Sequence, residues 1–425
     1  MLLLRIPLFL IVLLAAVSLR AETNWPQFRG SSGQGISDAK NLPLTWSESK
    51  NITWKTPIHG KAWSSPVIWG NQIWLTSATE DGHELYVLKV DKQSGKVLLD
   101  KKLYDIADPQ YCHPFNSYAS PTPVVEEGRV YVTFGSPGTA CLDAATGNVL
   151  WERRDFVCNH FRGAGSSLFL WNNMLFLPFD GSDYQYIVAM DKNTGQTLWK
   201  TNRSIDYQDL QPNGKPVADG DMRKGFSTPR IADFGDGPIL ISEGSKCIYA
   251  YEPITGKEIW RVEYRSAHSG SATPLIGKNM IYYCTGHQQP ELWAIKPGGH
   301  GVLDNSQIAW KSKKGVPTRS SPILVDDLIY FVADNGVVSC IQAADGKDVW
   351  RGRIEGSFSV APIYANGRLY FFNEAGKATV IAAGRELKVL AENDLEDGFM
   401  AAPAVSGDAL FLRTKSALYR VEGKE

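Results

Sequence analysis

A short phrase recurs along most of the chain: a small residue, then proline, then a pair of residues that are mostly hydrophobic. Seven copies occur, at residues 65–68, 122–125, 228–231, 273–276, 321–324, 361–364 and 402–405, and an eighth, at 166–169, lacks the proline. The copies are separated by roughly 40 to 60 residues, a period typical of radial β-arrays rather than of helical solenoids. Such a repeat constrains the architecture and leaves the function to whatever does not repeat.

A second pattern follows the phrase, at a turn between two strand-like runs. Its clearest copy leads from Asp191 through Thr194 and Gly195 to Trp199, and related copies occur at 142–151, 251–260 and 343–350. In such turns, Asp and Thr side chains bond nearby backbone N–H groups, and Gly supplies the positive φ of a bulged hairpin. Because Trp stands an even step beyond Gly, it returns to the same strand face and is placed to pack one sheet on the next.

The repeats can be counted by their first strands, which begin near residues 64, 120, 165, 227, 272, 320, 360 and 401. The last repeat has only three strands, whereas an orphan strand at 52–57 carries Trp54 at the fourth-strand position. We therefore predict an all-β fold: an eight-bladed β-propeller of four-stranded antiparallel blades, with its ring closed by the N-terminal strand. The predicted propeller covers residues 51–425, and residues 22–50 form an N-terminal extension.

The first residues are typical of a cleaved leader. Arg5 precedes an unbroken apolar run at 6–17, and cleavage is predicted after Ala21, so residues 1–21 are interpreted as a signal peptide. The run is too short to span a bilayer, and Cys112 is the first cysteine, which argues against a lipid anchor. We expect a periplasmic or secreted protein without a membrane anchor. The formal net charge of −1 does not indicate a nucleic-acid partner.

The six cysteines fall into two groups. Cys141, Cys247, Cys284 and Cys340 lie in strand-like runs, where cysteine behaves as a small buried hydrophobe. Cys112 and Cys158 lie in polar connectors of adjacent repeats, where an oxidising compartment would allow a disulfide. The sequence leaves open whether these two are joined.

The connectors between blades run inward, so residues just before the proline phrase are predicted to surround one mouth of the central channel. The polar candidates for a ligand site are His59, Lys61, His113, Asn116, Tyr118, His160, Arg162, Arg223, Lys224, His268 and Arg319. The last two connectors add Phe358, Phe399 and Met400. We predict a cationic, imidazole-rich mouth with an aromatic sector, suited to a small anionic or carbohydrate ligand. The alternative is that these groups contact channel water and tie the connectors together.

Other chemistry finds little support in the sequence. No two of His113, His160 and His268 occur at metal-ligand spacing within one element, and no metal site is predicted. The run Gly165-Ser166-Ser167 lacks the strand-to-helix turn of a nucleophile elbow. No catalytic residue is assigned.

The turn that ends in Trp resembles the repeat of pyrroloquinoline-quinone (PQQ)-like β-propellers, over residues 46–422. The opening Asn24-Trp25-Pro26-Gln27-Phe28-Arg29-Gly30 resembles the leader of exported PQQ-like repeat proteins of planctomycete-type bacteria, which are often labelled similar to BamB. This resemblance implies the propeller fold and two classes of function. One is a binding or scaffold module with an envelope-protein partner, and the other is a quinoprotein dehydrogenase that uses PQQ with calcium.

The marks of the enzyme branch can be sought residue by residue. Quinoprotein alcohol dehydrogenases carry adjacent cysteines, and those with an attached haem carry Cys-x-x-Cys-His; neither motif occurs here. A Glu, Asn and Asp set for calcium is not readable either. We therefore predict a non-enzymatic module that binds a ligand or protein and needs no cofactor, with a PQQ-dependent oxidoreductase as the alternative.

Overall fold

Each repeat of the sequence folds into one antiparallel sheet whose strands are ordered as they occur in the chain. In the computed structural model, which describes residues 24–423, eight such four-stranded sheets form the propeller. The predicted fold class is thereby confirmed. The predicted signal peptide at 1–21 lies outside the described residues.

The strands are numbered in chain order. Ahead of the first blade come β1 (Ile36–Ser37) and β2 (Ile52–Pro57). Blade 1 consists of β3 (Val67–Trp69), β4 (Gln72–Ala78), β5 (Glu84–Asp91) and β6 (Val97–Asp105). Blade 2 consists of β7 (Val124–Glu126), β8 (Arg129–Thr133), β9 (Thr139–Asp143) and β10 (Val149–Arg153). Blade 3 consists of β11 (Phe169–Trp171), β12 (Met174–Asp180), β13 (Gln185–Asp191) and β14 (Thr197–Asn202).

The fourth and fifth blades are interrupted by short additional elements. A 3₁₀ segment (Val217–Arg223) precedes blade 4, which consists of β15 (Arg230–Asp233), β16 (Pro238–Gly244), β17 (Cys247–Tyr251) and β18 (Glu258–Glu263). Then follow β19 (Ala267–His268), β20 (Leu275–Ile276), β21 (Ile281–Cys284), β22 (His287–Gln288), β23 (Leu292–Ile295), β24 (Gly301–Val302), a 3₁₀ turn (Asn305–Gln307) and β25 (Ile308–Ser312). Blade 5 is β20, β21, β23 and β25, whereas β19 pairs with β22. The segment between β23 and β25 is longer than in the other blades and contains β24, which pairs in parallel with β18 and covers the outer edge of blade 4.

The last three blades complete the ring. Blade 6 consists of β26 (Ile323–Val325), β27 (Leu328–Val332), β28 (Val337–Gln342) and β29 (Asp348–Arg353). Blade 7 consists of β30 (Ile363–Ala365), β31 (Arg368–Phe372), β32 (Lys377–Ala382) and β33 (Val389–Asp394). Blade 8 contains β34 (Ala404–Ser406), β35 (Ala409–Arg413) and β36 (Ala417–Glu422), and its fourth strand is β2.

The recurring Trp holds neighbouring blades together, as its strand position predicted. The Trp151 indole lies on the backbone of Gly195 in the next blade, so close that a Cβ there would be 2.7 Å from the ring. Its indole N–H donates to the carbonyl of Lys192 in the same turn, at 2.9 Å. The same stacking joins Trp199 to Gly256 and Trp310 to Gly346. Glycine is therefore required in this turn both for its positive φ and for the bare surface on which the next ring packs.

The ring closes by the same device. Strand β2 pairs antiparallel with β36, and Trp54 lies opposite Arg420. The Trp54 indole stacks on Gly95 of blade 1 and donates to the Lys92 carbonyl at 3.1 Å. One residue near the chain's start thus belongs to blade 8 and seals the joint with blade 1, as predicted.

The small residue of the proline phrase has a role that the sequence did not reveal. In several blades it is Ser or Thr, and its hydroxyl accepts a hydrogen bond from the backbone N–H of the equivalent residue in the preceding blade. In blade 3 the equivalent residue is Ser167, one position later than the phrase at 166–169 places it. Thr122 accepts from Ser65 at 3.0 Å, Ser167 from Thr122 at 2.9 Å, and Thr228 from Ser167 at 3.0 Å. These bonds join the inner strands directly around the axis.

Two further expectations concern cysteines and membranes. The structure shows Cys112 and Cys158 as free thiols, so the disulfide that the sequence left open is not formed in it. Within the described part of the chain, no helix has the length and hydrophobicity that a membrane span requires.

Replacing Gly195 with alanine tests the Trp–Gly joint. Gly195 has φ +71, and Gly128 has φ +76 with no atom within 4 Å of an added Cβ, so it is a matched control. Both changes should incur backbone strain of about 1 kcal/mol. Gly195→Ala should lower the free energy of unfolding by about 1–3 kcal/mol more than the control does, because the methyl group must displace the Trp151 ring. Chemical denaturation measures both, and equal losses would show that the indole does not rely on a bare glycine.

Candidate functional site

A cavity of about 760 Å³ lies on the propeller axis. Equivalent inner-strand residues of different blades line it, among them Ser65, Thr122, Ser167, Thr228 and Ser321. Residues of the inward connectors form the wall above them. Contributions from all around the ring establish that this cavity is the central channel and not a groove between two blades.

The floor of the cavity comes from the N-terminal segment, residues 24–37, which crosses the channel at its other end. Phe28 of this segment borders the cavity. Trp25 exchanges two backbone hydrogen bonds with Ile68 of blade 1, at 2.9 and 2.8 Å, and the Gly35 carbonyl accepts from Tyr364 of blade 7 at 2.9 Å. The cavity is thus a cup with one open mouth. The motif at 24–30 indicated a family leader in the sequence but gave no sign of this position.

One wall of the cup is built around an ion pair. The Arg162 guanidinium donates two hydrogen bonds of 2.6 Å to the Asp221 carboxylate, and both residues border the cavity. Burial alone would raise the pKa of Asp221, but the bonds and charge of Arg162 outweigh it and leave that pKa below its usual value. Paired planar groups of this kind present fixed donors and acceptors to a ligand.

The segment that carries Asp221 is strained. Ala218 (φ 50), Asp219 (φ 51) and Gly220 (φ 83) stand in succession in the left-handed region. Residues with side chains adopt this conformation at a cost, and such strain is concentrated at functional sites. This turn ends the polar connector at 204–222 and places Asp221 against Arg162.

The opposite wall contains Arg319, which is also paired. Its guanidinium lies 3.2 Å from Asp334 and 3.2 Å from Glu374, and it stacks 4.3 Å above the Phe115 ring. The two arginines of the cavity are thus bonded to three carboxylates. Asp221 lies in the connector before blade 4, whereas Asp334 and Glu374 follow β27 and β31, so a list of connector residues does not reveal these pairs.

Three imidazoles border the cavity: His113, His268 and His287. Burial lowers the pKa of His113 and of His268, and the charge of Arg162 adds to the effect while that of Asp221 opposes it, with a net lowering of both pKa values. The pairing of β19 with β22 sets His268 opposite His287, with ring centroids 5.5 Å apart. His287 lies between the second and third strands of blade 5 and not in a connector between blades. The search of the connectors in the sequence therefore did not include it.

Aromatic faces complete the wall, but they are not the predicted ones. Phe358 and Phe399 are fully buried in the core, and only Met400 of that predicted sector reaches the cavity. The rings that border it are those of Phe28, Trp63, Phe115 and Phe226. No periodicity marks these positions in the sequence.

Five of the predicted polar residues meet at the cavity: His113, Asn116, Arg162, His268 and Arg319. Asn116 also ties the wall together, since its amide donates to the carbonyls of Arg162 and Ala164 at 2.9 and 3.2 Å. For this residue, the ligand interpretation and the connector-bonding alternative both apply.

The remaining candidates lie elsewhere. His59 is exposed beside Asp100 at 3.0 Å, and Lys61 and Tyr118 donate to the backbone carbonyls of Pro114 and Gln110 at 2.7 and 2.9 Å. These three fasten surface loops and do not border the cavity.

Three others are structural. The buried His160 ring accepts a hydrogen bond from the Ser136 backbone N–H at 2.9 Å, and Arg223 forms an ion pair with Asp209. Lys224 is buried behind the cavity wall, with its ammonium 4.8 Å above the Phe226 ring. These residues therefore tie the connectors together, which was the alternative to a ligand site.

Comparison with known proteins identifies two groups of relatives. The family model described as "Outer membrane protein assembly factor BamB" matches residues 86–223 and 183–425. The quinone alcohol dehydrogenase subunit of Acetobacter aceti is 28% identical over 236 residues, covering 51% of this chain and 27% of the relative. BamB of Shewanella oneidensis is 21% identical over 317 residues, covering 69% and 71%. The chain thus spans less than a third of the length of the dehydrogenase.

Solved structures show the same two groups. A europium-containing methanol dehydrogenase superposes with a TM-score of 0.66 at 12% identity, covering 93% of this chain and 90% of that one. BamB from Moraxella catarrhalis superposes with a TM-score of 0.61 at 12% identity, covering 88% and 98%. At this identity the likeness establishes the fold alone.

The buried imidazole of His160 should make stability depend on pH. Burial lowers the pKa of His160 well below its usual value. In the unfolded chain this group binds a proton at a higher pH than in the folded protein, so acid favours unfolding. Stability should fall from near pH 7 toward pH 5, by up to about 1.4 kcal/mol per pH unit from this residue.

Chemical denaturation at a series of pH values tests this dependence. The His160→Gln variant should lose less stability than the wild type over the acidic range, while a His300→Gln control on an exposed loop should follow the wild type. Parallel curves for His160→Gln and the wild type would contradict the assignment.

Proposed function

The chain belongs to the PQQ-like repeat β-propeller family, and from this premise we propose that it is an exported, non-enzymatic protein that binds a carbohydrate in its axial cavity. The observation that carries the proposal is the cup itself, closed at one end, walled by neutralised polar pairs and lined with aromatic rings. Its volume of about 760 Å³ lies within the range of small-molecule sites. A short oligosaccharide is a ligand of suitable size.

The balance of charge favours a neutral ligand over an anionic one. Arg162 and Arg319 are each committed to carboxylates, and the partners Asp221, Asp334 and Glu374 outnumber them. An anion would have to compete with these carboxylates for the guanidiniums. Sugar hydroxyls can donate to the carboxylate of Asp221, which borders the cavity, and accept from unused guanidinium N–H groups without adding charge.

The aromatic rings support the same class of ligand. The Phe115 ring is held beneath Arg319, and the Trp63 indole is fixed by its N–H bond to the Phe115 carbonyl at 3.0 Å. Rigid rings offer flat apolar surfaces at little cost in conformational entropy. A pyranose has apolar C–H faces and a polar rim, which match rings and polar pairs on one wall.

The residues of the cavity do not fit PQQ with calcium. PQQ is a planar tricarboxylate and needs uncommitted cationic partners, yet both cavity guanidiniums are already paired. Among residues 24–423 no group of three His, Cys, Asp or Glu side chains is arranged to hold a metal ion. A PQQ-dependent dehydrogenase is therefore the second candidate function.

The sequence and the relatives also bear on location and partners. The leader-like residues 1–21 support export to the periplasm or beyond, and the BamB relatives are named for outer membrane protein assembly. We propose an envelope protein as an additional partner of this scaffold.

A glycan-binding experiment tests the proposal. Purified mature protein is screened against immobilised neutral hexose oligosaccharides and their uronic acid counterparts, and hits are measured by calorimetry. Neutral glycans should bind better than acidic ones. Asp221→Asn should weaken binding by about tenfold, because the amide cannot hold Arg162 in its charged pair.

Glu127→Gln provides the matched control, since Glu127 is exposed in the first hairpin turn of blade 2, away from the cavity. Preference for acidic glycans, or equal binding by the Asp221→Asn variant and the wild type, would contradict the proposed site. Tight binding of PQQ with calcium, accompanied by alcohol-dependent dye reduction, would support the dehydrogenase instead.

A further inference from the structure

The N-terminal segment, residues 24–37, binds the ring as a separate peptide would. It meets the inner strands at the edges that the blades leave unpaired, since β3, β7, β20 and β26 are all terminal in their sheets. The Pro26 carbonyl accepts from Val125 of blade 2 at 2.8 Å, and β1 adds to the edge of β30 in parallel. Backbone bonding to free strand edges is the mode by which many proteins capture extended peptides.

Side chains of the segment supply specific anchors. Trp25 is only 4% exposed. The Gln34 amide donates to the Ile276 carbonyl at 3.0 Å and accepts from the Ile276 N–H at 3.1 Å, so it copies the pairing of a strand residue. Arg29 is 1% exposed and donates to the Pro322 carbonyl of blade 6 at 2.7 Å.

The ring in turn grips the segment. Arg230 of blade 4 donates to the Gly33 carbonyl at 2.8 Å and to the Phe28 carbonyl at 3.2 Å. Its guanidinium lies so close to Gly33 that a Cβ there would be 2.3 Å from the Arg230 Cζ. A glycine-containing turn is thus part of what this surface recognises.

The ring does not need the segment in order to close. All eight blades have their four strands without it, and the seam between first and last blades is made by β2 with β36. The surface beneath the segment consists of strand edges, the Arg230 guanidinium and the apolar core residues on which Trp25 packs. Asp38, Lys40 and Asn41 directly behind the segment are exposed, whereas Leu42 and Trp46 are buried and anchor the following residues to the ring.

We propose that the closed end of the channel is a peptide-binding surface, that the N-terminal segment is its resident ligand, and that the surface accepts the same segment from a second molecule when its own is displaced. The occupant is an extended peptide with an aromatic anchor, a strand-mimicking amide, an arginine and a Gly-rich turn. This inference is independent of the ligand in the cavity.

The test uses the full chain with its own segment weakened by Trp25→Ala and Arg29→Ala. A fluorescent peptide of residues 24–37 is added, and binding is followed by anisotropy. The weakened chain should bind the peptide at one site, at least about tenfold more tightly than the wild type, whose tethered segment competes at high effective concentration. The bound peptide should also raise the melting temperature of the weakened chain.

Matched controls identify the surface. A Ser31→Ala chain, changed at an exposed position of the segment, should behave as the wild type does. A peptide that carries both substitutions should bind at least about tenfold more weakly than the native peptide. Equal binding to the wild type and the weakened chain, or no binding, would overturn the proposal. So would loss of the β-sheet circular dichroism of the weakened chain, since the segment would then be integral to the fold.

Discussion

The packing of a tryptophan in one blade on a bare glycine in the next is the contact on which the rest of the structure depends. A four-stranded blade exposes two faces that it cannot bury alone, so each sheet must find a neighbour. Trp151 on Gly195 shows how the joint is made, by ring stacking and an indole hydrogen bond together. Trp54 repeats this contact across the chain ends, and it therefore couples residues near both termini to the stability of the whole ring.

The ring then determines where chemistry is possible. Hydroxyls of the inner strands are bonded to the neighbouring blade, which leaves the inward connectors to form the wall of the cavity. The arginines of these connectors pair with carboxylates from other parts of the chain. Arg162 reaches Asp221, and Arg319 reaches Glu374. The arginines that make the mouth look cationic in the sequence are therefore ion-paired in the structure. This pairing changes the class of ligand that the cavity suits.

The relatives illustrate how little the propeller itself says about activity. Dehydrogenases and assembly factors share this arrangement of blades, and function lies in the residues placed on it. In this chain two features lie outside the repeat: the strained turn before Asp221 and the N-terminal segment that closes the far end of the channel. The segment also contributes Phe28 to the cavity wall. The same segment is hydrogen-bonded to six of the eight blades, so it joins the floor of the proposed ligand site to most of the ring.

The sequence by itself determined the class of fold, the number of blades and the role of Trp54, because turn chemistry and strand periodicity are local and repeat at each unit. It also identified five cavity residues, since their place just before the proline phrase follows from the topology. Only the tertiary structure decided that His160 and Lys224 are buried, that the arginines are neutralised and that residues 24–37 close the channel. These facts depend on contacts between segments far apart in the chain, and no local pattern records which distant carboxylate or strand edge a side chain will meet.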